Sequence, residues 1–223
     1  MTELVLTEKL ENNIALVRLN RPDALNALNI ATRQAIAKSF AKLQDDAEVR
    51  CIVLTGNDKA FAAGADLKEL SSASSIEMFK RRTERYWQVV NNTPQPIIAA
   101  IQGYAMGGGL ELAMMCDMLV VGENAQLAQP EIKVGIMPGA GGTQRLTRAV
   151  GKFNAMKINL LGKAFSGQQA FDMGLACEVC PDAEVLEVAL KMATTISRMP
   201  PLAVQAIKQS ILHGQDASME AAL

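Results

Sequence analysis

Hydrophobic and polar residues alternate at the start of the chain and then recur at helical spacing. Val5, Leu10 and the run from Ile14 to Leu19 alternate with polar residues around Glu11-Asn12-Asn13, which predicts a β-hairpin. From Ala27 to Leu43 the apolar positions lie on one side of a helix: Leu28, Ile36, Phe40 and Leu43. Two strands followed by an amphipathic helix therefore open the fold.

The middle of the chain alternates strands and helices. The short apolar run Cys51 to Leu54 is rich in β-branched residues and predicts a buried strand. The elements expected after it are a helix over about Ile76 to Asn91, a strand over Ile97 to Ile101, a helix after Gly107 to Gly109, and a strand over Met118 to Val121. This alternation predicts an α/β fold with crossover connections.

After Gly135 the pattern becomes mostly helical. The predicted helices are Thr143 to Val150, Phe153 to Leu161, one begun by a capping box of Ser166 and Gln169, Ala183 to Ser197, and Leu202 to Leu212. We therefore divide the chain into an α/β region, 1–140, and a helical region, 141–223. Residues 218–223 predict the opening of another helix without a stop signal, so we expect the sequence to be incomplete at its C-terminus.

Composition excludes several classes of protein. The 223 residues are 49% hydrophobic and 20% charged, which is typical of a folded globular domain. Because 22 basic residues face 23 acidic ones, no global positive field attracts nucleic acid or an acidic membrane surface. Aromatic residues, at 4%, are too scarce for a base-stacking platform. Without a targeting segment or a long apolar run, we expect a cytoplasmic protein.

Cysteine and histidine offer little chemistry. The four cysteines include one C-x-x-C pair, Cys177 and Cys180, which lacks the second pair or histidine cluster of a metal site. We expect four structural thiols and no metal. The single histidine, His213, is predicted to lie on the surface at a helix end, so nucleophilic hydrolysis has weak support.

Two segments rich in small residues could approach a ligand with their backbone. Phe61 to Lys68 follows a strand, although a plain surface turn would have the same composition. Gly103 to Glu111 contains three consecutive glycines that lead into a helix, whose first N–H groups favour a developing negative charge. A strand-to-helix connection without a ligand explains this segment equally well.

Two further segments contain an acid and more glycine, namely Gln129-Pro130-Glu131 and Gly135 to Thr143. No glycine run forms a phosphate loop or a dinucleotide fingerprint, so nucleotide cofactors have no motif. Glu111 and Glu131 lie on either side of a predicted strand, and a fold that returned the chain could face both into one pocket. Spacing alone does not pair them.

Taken together, these segments resemble the enoyl-CoA hydratase (crotonase) family over almost the whole chain. The residues that match occur in the family's order: Asn20-Arg21-Pro22, Asn26-Ala27-Leu28, Ala63 to Lys68, Gly107 to Ala113, Gln129-Pro130-Glu131 and Gly135 to Arg145. The resemblance implies a spiral of ββα units in 1–140, with the CoA and catalytic sites, followed by the helical region 141–223. It also implies a homotrimer or a dimer of trimers.

The family's site residues carry over by position. An acyl-CoA thioester would place its carbonyl oxygen between the N–H groups of Ala65 and Gly108, which form the oxyanion hole. The two catalytic acids would be Glu111 and Glu131. The CoA site would be lined by Ala63, Ala65, Asp66, Leu67, Lys68 and Gly108. No cofactor is implied beyond the CoA of the substrate.

Within the family, the two acids favour a hydratase that converts a trans-2-enoyl-CoA into a 3-hydroxyacyl-CoA, as in β-oxidation of fatty acids. Hydration needs one carboxyl to deprotonate water and another to supply a proton, whereas related isomerases typically lack the acid at Glu111. The alternatives are a hydratase for a dicarboxylic enoyl-CoA in aromatic-acid breakdown, an isomerase, and a non-catalytic RNA-binding relative. The last would use the basic cluster Lys80-Arg81-Arg82 and Arg85.

Overall fold

The computed structural model describes residues 3–71, 74–215 and 217–222. Its strands, in chain order, are β1 Val5–Leu10, β2 Ile14–Leu19, β3 Cys51–Thr55, β4 Ala60–Ala62, β5 Ile97–Ile101, β6 Tyr104–Met106, β7 Met118–Gly122, β8 Gln126–Ala128, β9 Phe165–Ser166 and β10 Glu178–Cys180. Its α-helices are α1 Ile30–Gln44, α2 Leu67–Ser71, α3 Ser75–Lys80, α4 Glu84–Asn91, α5 Gly108–Ala113, α6 Gly142–Leu161, α7 Gly167–Asp172, α8 Val185–Ser197, α9 Pro201–Gly214 and α10 Met219–Ala222. Short 3-10 turns occupy Glu11–Asn13, Pro22–Ala24, Glu131–Val134 and Asp182–Glu184.

Two sheets organise the chain. The larger has the order β1-β2-β3-β5-β7-β10, and all its pairs are parallel except the β1–β2 hairpin, in which Val5 faces Leu19. The smaller has the order β4-β6-β8-β9. Each of β3, β5 and β7 is followed within a few residues by a short strand of the smaller sheet, which gives the repeated ββ unit. The predicted α/β fold with crossovers is confirmed.

The central strands of the larger sheet, β3, β5 and β7, are buried on both faces, and their sequences are therefore continuously apolar. In β3, Ile52 and Leu54 face the main core, while Cys51 and Val53 face a second cluster. That cluster is closed by Val185, Ala189 and Ala193 of α8. Helix α8 therefore covers one face of the sheet, and the main core, to which α1, α6 and the small strands contribute, covers the other.

Two predicted helices have different boundaries in the structure, and each difference has a local cause. The single helix predicted over Ile76 to Asn91 was wrong: α3 ends at Lys80 and α4 begins at Glu84, because Arg82 takes a left-handed backbone (φ 46°). α1 begins at Ile30 rather than Ala27, because the Asn29 side chain caps it by accepting from the N–H of Thr32 at 2.8 Å.

The two helices predicted on either side of Gly151 are confirmed as parts of α6, which leaves helical geometry at that glycine (φ 74°, ψ 164°). The capping box of Ser166 and Gln169 is also present at α7. His213 lies in the last turn of α9 and is exposed, as predicted. Among the described residues, no helix is both long and apolar enough to cross a membrane.

Candidate active site

A buried asparagine fixes the backbone that leads into the small-residue loop. The side chain of Asn26 is fully buried, and its amide donates to the carbonyl of Ala60 at 2.9 Å and to that of Phe61 at 3.2 Å. Its oxygen accepts from the N–H of Arg21 at 2.8 Å. Asn26 therefore joins residues 21–26 to β4 with each of its hydrogen-bonding groups satisfied.

The next residues along both segments continue this pairing. The N–H of Leu28 donates to the carbonyl of Gly64 at 2.7 Å, and Leu28 pairs with Ala65 as an isolated parallel bridge. Arg21 then forms an ion pair with Asp66 at 2.8 Å. Together these bonds hold the loop from Ala63 to Asp66 against the segment that precedes α1.

The three glycines between β6 and α5 have different tasks. Gly107 precedes α5 in a left-handed conformation (φ 50°) that favours glycine. A β carbon on Gly109 would lie 2.1 Å from the carbonyl oxygen of Ala62, so this glycine allows α5 to pack on β4. Gly108 is the first residue of α5, and its N–H has no acceptor within the helix.

The loop at Ala65 and the start of α5 meet. A β carbon on Gly108 would lie 3.7 Å from the nitrogen of Ala65, and one on Gly64 would lie 3.7 Å from the nitrogen of Gly108. Within the described chain, neither N–H donates to a protein acceptor. The fold therefore brings together the two N–H groups that the resemblance assigned to an oxyanion hole.

Glu111 lies on α5, one turn beyond Gly108, and is only 3% exposed. Its Oε1 accepts from the N–H of Ala140 at 2.7 Å and from that of Gly142 at 2.8 Å. Its Oε2 lies 4.0 Å from the β-carbon position of Gly108, so the second oxygen lies beside that residue. Burial raises the pKa of Glu111, and the two backbone hydrogen bonds oppose that rise.

Glu131 approaches the same place from the other side. Its Oε1 lies 2.8 Å from the β-carbon position of Gly107. Burial raises the pKa of Glu131 to about 7, and the neighbouring charge of Glu111 adds to the rise. The two acids, which spacing alone did not pair, therefore flank Gly107 and Gly108.

Gln129 contacts Glu131 directly. The side chain of Gln129 is fully buried, and its amide lies 3.0 and 3.1 Å from the two carboxylate oxygens of Glu131. The hydrogen-bonding partners assign the NH₂ group to the side that faces the carboxylate. Gln129 thus holds Glu131 in place by donating to both of its oxygens.

The residues predicted to line a CoA site differ in exposure. Ala63 and Ala65 are half-buried, whereas Leu67 and Lys68 are exposed and open to a ligand. Asp66 is tied to Arg21, and that hydrogen bond lowers the pKa of Asp66. Its Oδ1 also accepts from the N–H of Lys68. Asp66 therefore shapes the loop as well as lying beside the predicted site.

The sequence analysis did not assign a role to several residues that support the site. The glycine-rich run from Gly135 to Thr143 was visible but had no assigned role, and it contains the two donors to Glu111. The roles of Asn26 and Arg21 were also missed, although both lie in motifs that matched the family. Gln129 was adjacent to a predicted acid without any sign that it would touch it.

Comparisons with known proteins identify the family of this chain. The family model described as enoyl-CoA hydratase/isomerase matches residues 9–223. The mitochondrial enoyl-CoA hydratase of Pongo abelii is 44% identical over 211 residues, which are 94% of this chain and 73% of that protein. The chain belongs to the enoyl-CoA hydratase/isomerase family.

Other members of the family also match nearly the whole chain in sequence or in structure. The 2,3-dehydroadipyl-CoA hydratase of Escherichia coli (strain K12) is 42% identical over 223 residues, or 100% of this chain and 87% of that one. An enoyl-CoA hydratase subunit from Geobacillus kaustophilus HTA426 superposes with a TM-score of 0.95 at 33% identity, over 99% of this chain and 86% of that one. The predicted crotonase-like fold and membership among the family's enzymes are confirmed.

Proposed function

We propose that the protein adds water to a trans-2-enoyl-CoA and forms a 3-hydroxyacyl-CoA. The observation that best supports this activity is the placement of two carboxyl groups, the buried Glu111 and the half-buried Glu131, on either side of Gly107 and Gly108 and beside two N–H groups without acceptors among the described residues. Hydration requires that combination: donors for a developing oxyanion, a base for water and an acid for carbon.

The thioester carbonyl would bind first. Its oxygen accepts from the N–H groups of Ala65 and Gly108, and these donors strengthen their contact as enolate charge develops during attack. Preorganised donors of this kind contribute roughly 3 to 4 kcal/mol each in other enzymes. The α5 N-terminus adds its favourable dipole to the same oxygen.

Glu111 is the proposed base. Two backbone donors bind Oε1 and favour its ionised form, while Oε2 faces the space beside Gly108. A water held by Oε2 would lose its proton to Glu111 as its oxygen bonds to C3. The π electrons of the double bond then move toward C2 and the thioester carbonyl.

Glu131 is the proposed acid. Its pKa of about 7 keeps a substantial protonated fraction near neutral pH, and proximity to an ionised Glu111 favours that form. Transfer of this proton to C2 completes the addition. The substrate gains the atoms of one water, and a proton then passes from Glu111 to Glu131 through solvent to restore both acids for the next turnover. No redox group takes part.

Replacement of each acid by its amide tests this assignment. Glu111→Gln and Glu131→Gln keep size and hydrogen bonding but remove the titrating group, so kcat for crotonyl-CoA hydration should fall at least ~100-fold with a small change in CoA affinity. The double variant should be little worse than the poorer single variant. Glu178→Gln, at an exposed position, is the matched control. Near-wild-type kcat in either single variant would remove that acid from the mechanism.

We further propose that no metal, flavin or nicotinamide participates, since every step above uses protein acids and backbone donors. Turnover that EDTA abolished and a divalent cation restored would contradict this. Isomerase activity is separated by assaying a 3-enoyl-CoA beside the 2-enoyl-CoA. A gel-shift at physiological salt tests the RNA-binding alternative, for which we expect no retardation.

A trimer or a dimer of trimers in the cytoplasm is part of the same proposal. The second half of α6 exposes Phe153, Met156 and Leu160, which are 83%, 53% and 63% accessible in the single chain. Exposed apolar side chains on one helix are typical of a surface that another subunit covers. Light scattering of the purified protein measures the oligomeric state.

A second candidate substrate is a dicarboxylic enoyl-CoA, for which the similarity to the 2,3-dehydroadipyl-CoA hydratase over the entire chain gives support. The two substrates undergo the same addition of water, so they differ only in what the far end of the acyl pocket must bind.

A further inference from the structure

One arginine near the proposed active site has a buried guanidinium nitrogen with no hydrogen-bond partner among the described residues. Arg33 lies in the second turn of α1, and its Nε is buried without a hydrogen-bond partner. Across residues 3–71, 74–215 and 217–222, no carboxylate lies within ion-pair distance of its guanidinium. Its one ring contact is with Trp87 of α4, whose centroid lies 5.5 Å away.

This environment is costly for a cation. Desolvation by burial lowers the pKa of Arg33, because burial disfavours the charged form of the guanidinium. Glu69 also acts electrostatically on Arg33, but its carboxylate instead accepts from the N–H of Ile30 at 3.1 Å. A half-buried guanidinium with a buried, unsatisfied Nε is a candidate to bind a ligand of opposite charge.

Arg33 is also close to the reacting groups. Leu28 pairs with Ala65, and its Cδ1 lies 4.0 Å from the β-carbon position of Gly108. Arg33 is the fourth residue of α1, which begins two residues after Leu28. Its charge acts on Glu111 as well. Oε2 of Glu111 lies beside Gly108, which places the guanidinium near the N–H groups that would hold the thioester.

We propose that Arg33 binds a carboxylate at the far end of the acyl chain, so that the preferred substrate is a short 2-enoyl-CoA with a terminal carboxylate. This inference rests on the proposed hydratase function. The thioester end is fixed by Ala65 and Gly108, and the opposite end is read by Arg33. A chain without the carboxylate leaves the half-buried cation unpaired.

The chemistry of the side chain suits this task. A guanidinium presents parallel N–H groups that match the two oxygens of a carboxylate, and its flat face stacks on an aromatic ring. Trp87, itself only 7% exposed, restricts the plane of Arg33 and leaves the edge of the guanidinium to bind the ligand. Lysine would keep the charge but lose the two-point geometry.

The test compares two substrates of equal length, trans-2-hexenoyl-CoA and its counterpart with a terminal carboxylate. The measured quantity is the ratio of their kcat/KM values, because any effect of Arg33 on Glu111 cancels in that ratio. We expect the wild type to favour the carboxylated substrate and Arg33→Met to lower the ratio about 10- to 100-fold, the size expected for a charged hydrogen bond. Arg33→Lys should fall between them.

Arg50→Met serves as the matched control, since Arg50 donates to the carbonyl of Ser197 at the end of α8. Its ratio should equal that of the wild type. An unchanged ratio in Arg33→Met, or a wild type without preference for the carboxylated substrate, would overturn the inference.

Binding of the saturated analogues, hexanoyl-CoA and adipyl-CoA, gives a readout that needs no turnover. We expect adipyl-CoA to bind more tightly to the wild type, and Arg33→Met to remove that advantage in calorimetry. If the wild type hydrated neither enoyl-CoA but kept this Arg33-dependent preference, the hydratase proposal would fail while the carboxylate site stood. Equal binding of the two analogues would contradict the carboxylate site on its own.

Discussion

The carboxylate of Glu131 rests on Gly107, with Oε1 2.8 Å from the position that a β carbon on that glycine would occupy. Gly107 also has a φ of 50°. Glycine is therefore favoured here for two independent reasons, one of backbone conformation and one of space for the proposed acid.

Gly107→Ala separates those two reasons when it is compared with Gly151→Ala. Both glycines have positive φ, but a β carbon on Gly151 meets nothing within 4 Å. Each alanine should destabilise the protein by about 1 to 2 kcal/mol through backbone strain. Only Gly107→Ala should also displace Glu131, and we expect its kcat to fall a further ~10-fold or more. Equal kcat values in the two variants would show that Glu131 moves without consequence.

Substitution of Gly108 tests the oxyanion site, whose donors are backbone groups. A β carbon there would make ordinary contacts, 3.7 Å from the nitrogen of Ala65 and 4.0 Å from Oε2 of Glu111. Gly108→Ala should therefore fold normally and lose part of its activity. The γ carbons of Gly108→Val would fill the thioester position, so kcat should fall at least ~100-fold while circular dichroism stays native. A folded valine variant with full turnover would assign Gly108 to a simple strand-to-helix connection.

The raised pKa of Glu131 predicts a pH dependence of known sign. If Glu131 is the acid, kcat/KM should decline as the pH rises through about 7. The folded-state pKa is also above that of the unfolded chain, so the folded protein binds an extra proton. The resulting stabilisation is full below the unfolded pKa and is lost as the pH rises through about 7. In Glu131→Gln the melting temperature should depend less steeply on pH between about 5 and 8, and an unchanged slope would contradict the raised pKa.

A buried ion pair fastens α9 to the larger sheet. Lys208 lies 2.7 Å from Asp117 and also donates to the carbonyl of Gln95, and the two charged side chains are 9% and 16% exposed. Lys208→Met leaves the carboxylate of Asp117 without its ion-pair partner and should lower the free energy of unfolding by about 3 kcal/mol. Lys191→Met removes an exposed pair with Glu187 and should cost less than about 0.5 kcal/mol. Similar denaturant midpoints for both variants would show that the buried pair is not a tether.

The sequence predicted the larger sheet well because its strands are long enough to show a pattern. β3, β5 and β7 are runs of buried apolar residues bounded by polar turns, and each was placed to within one residue. The short strands β4, β6 and β8 were missed, since three residues define neither alternation nor a continuous run. Their pairing is a tertiary property that depends on the larger sheet being formed.

The residues of the candidate site were likewise only partly predictable from the sequence. Glu111 and Glu131 were found as acids near glycine, but their convergence depends on Gly107 standing between them, which no local pattern encodes. The resemblance to a family supplied that pairing. Arg33 was hidden for the opposite reason: its polar character in an amphipathic helix is ordinary, and only the fold reveals that its Nε is sealed from water. The division at residue 140 stays a prediction.

The hydrogen bonds to Glu111 come from the main-chain N–H groups of Ala140 and Gly142. The two positions differ in which side chains they tolerate. Every residue except proline at position 140 keeps the backbone N–H that donates to Glu111. A β carbon at position 142 would stand 2.9 Å from Oε1 of Glu111, so any side chain there would require Glu111 to shift. The donor at position 140 is therefore kept in most substitutions, whereas at position 142 a side chain would displace the proposed base.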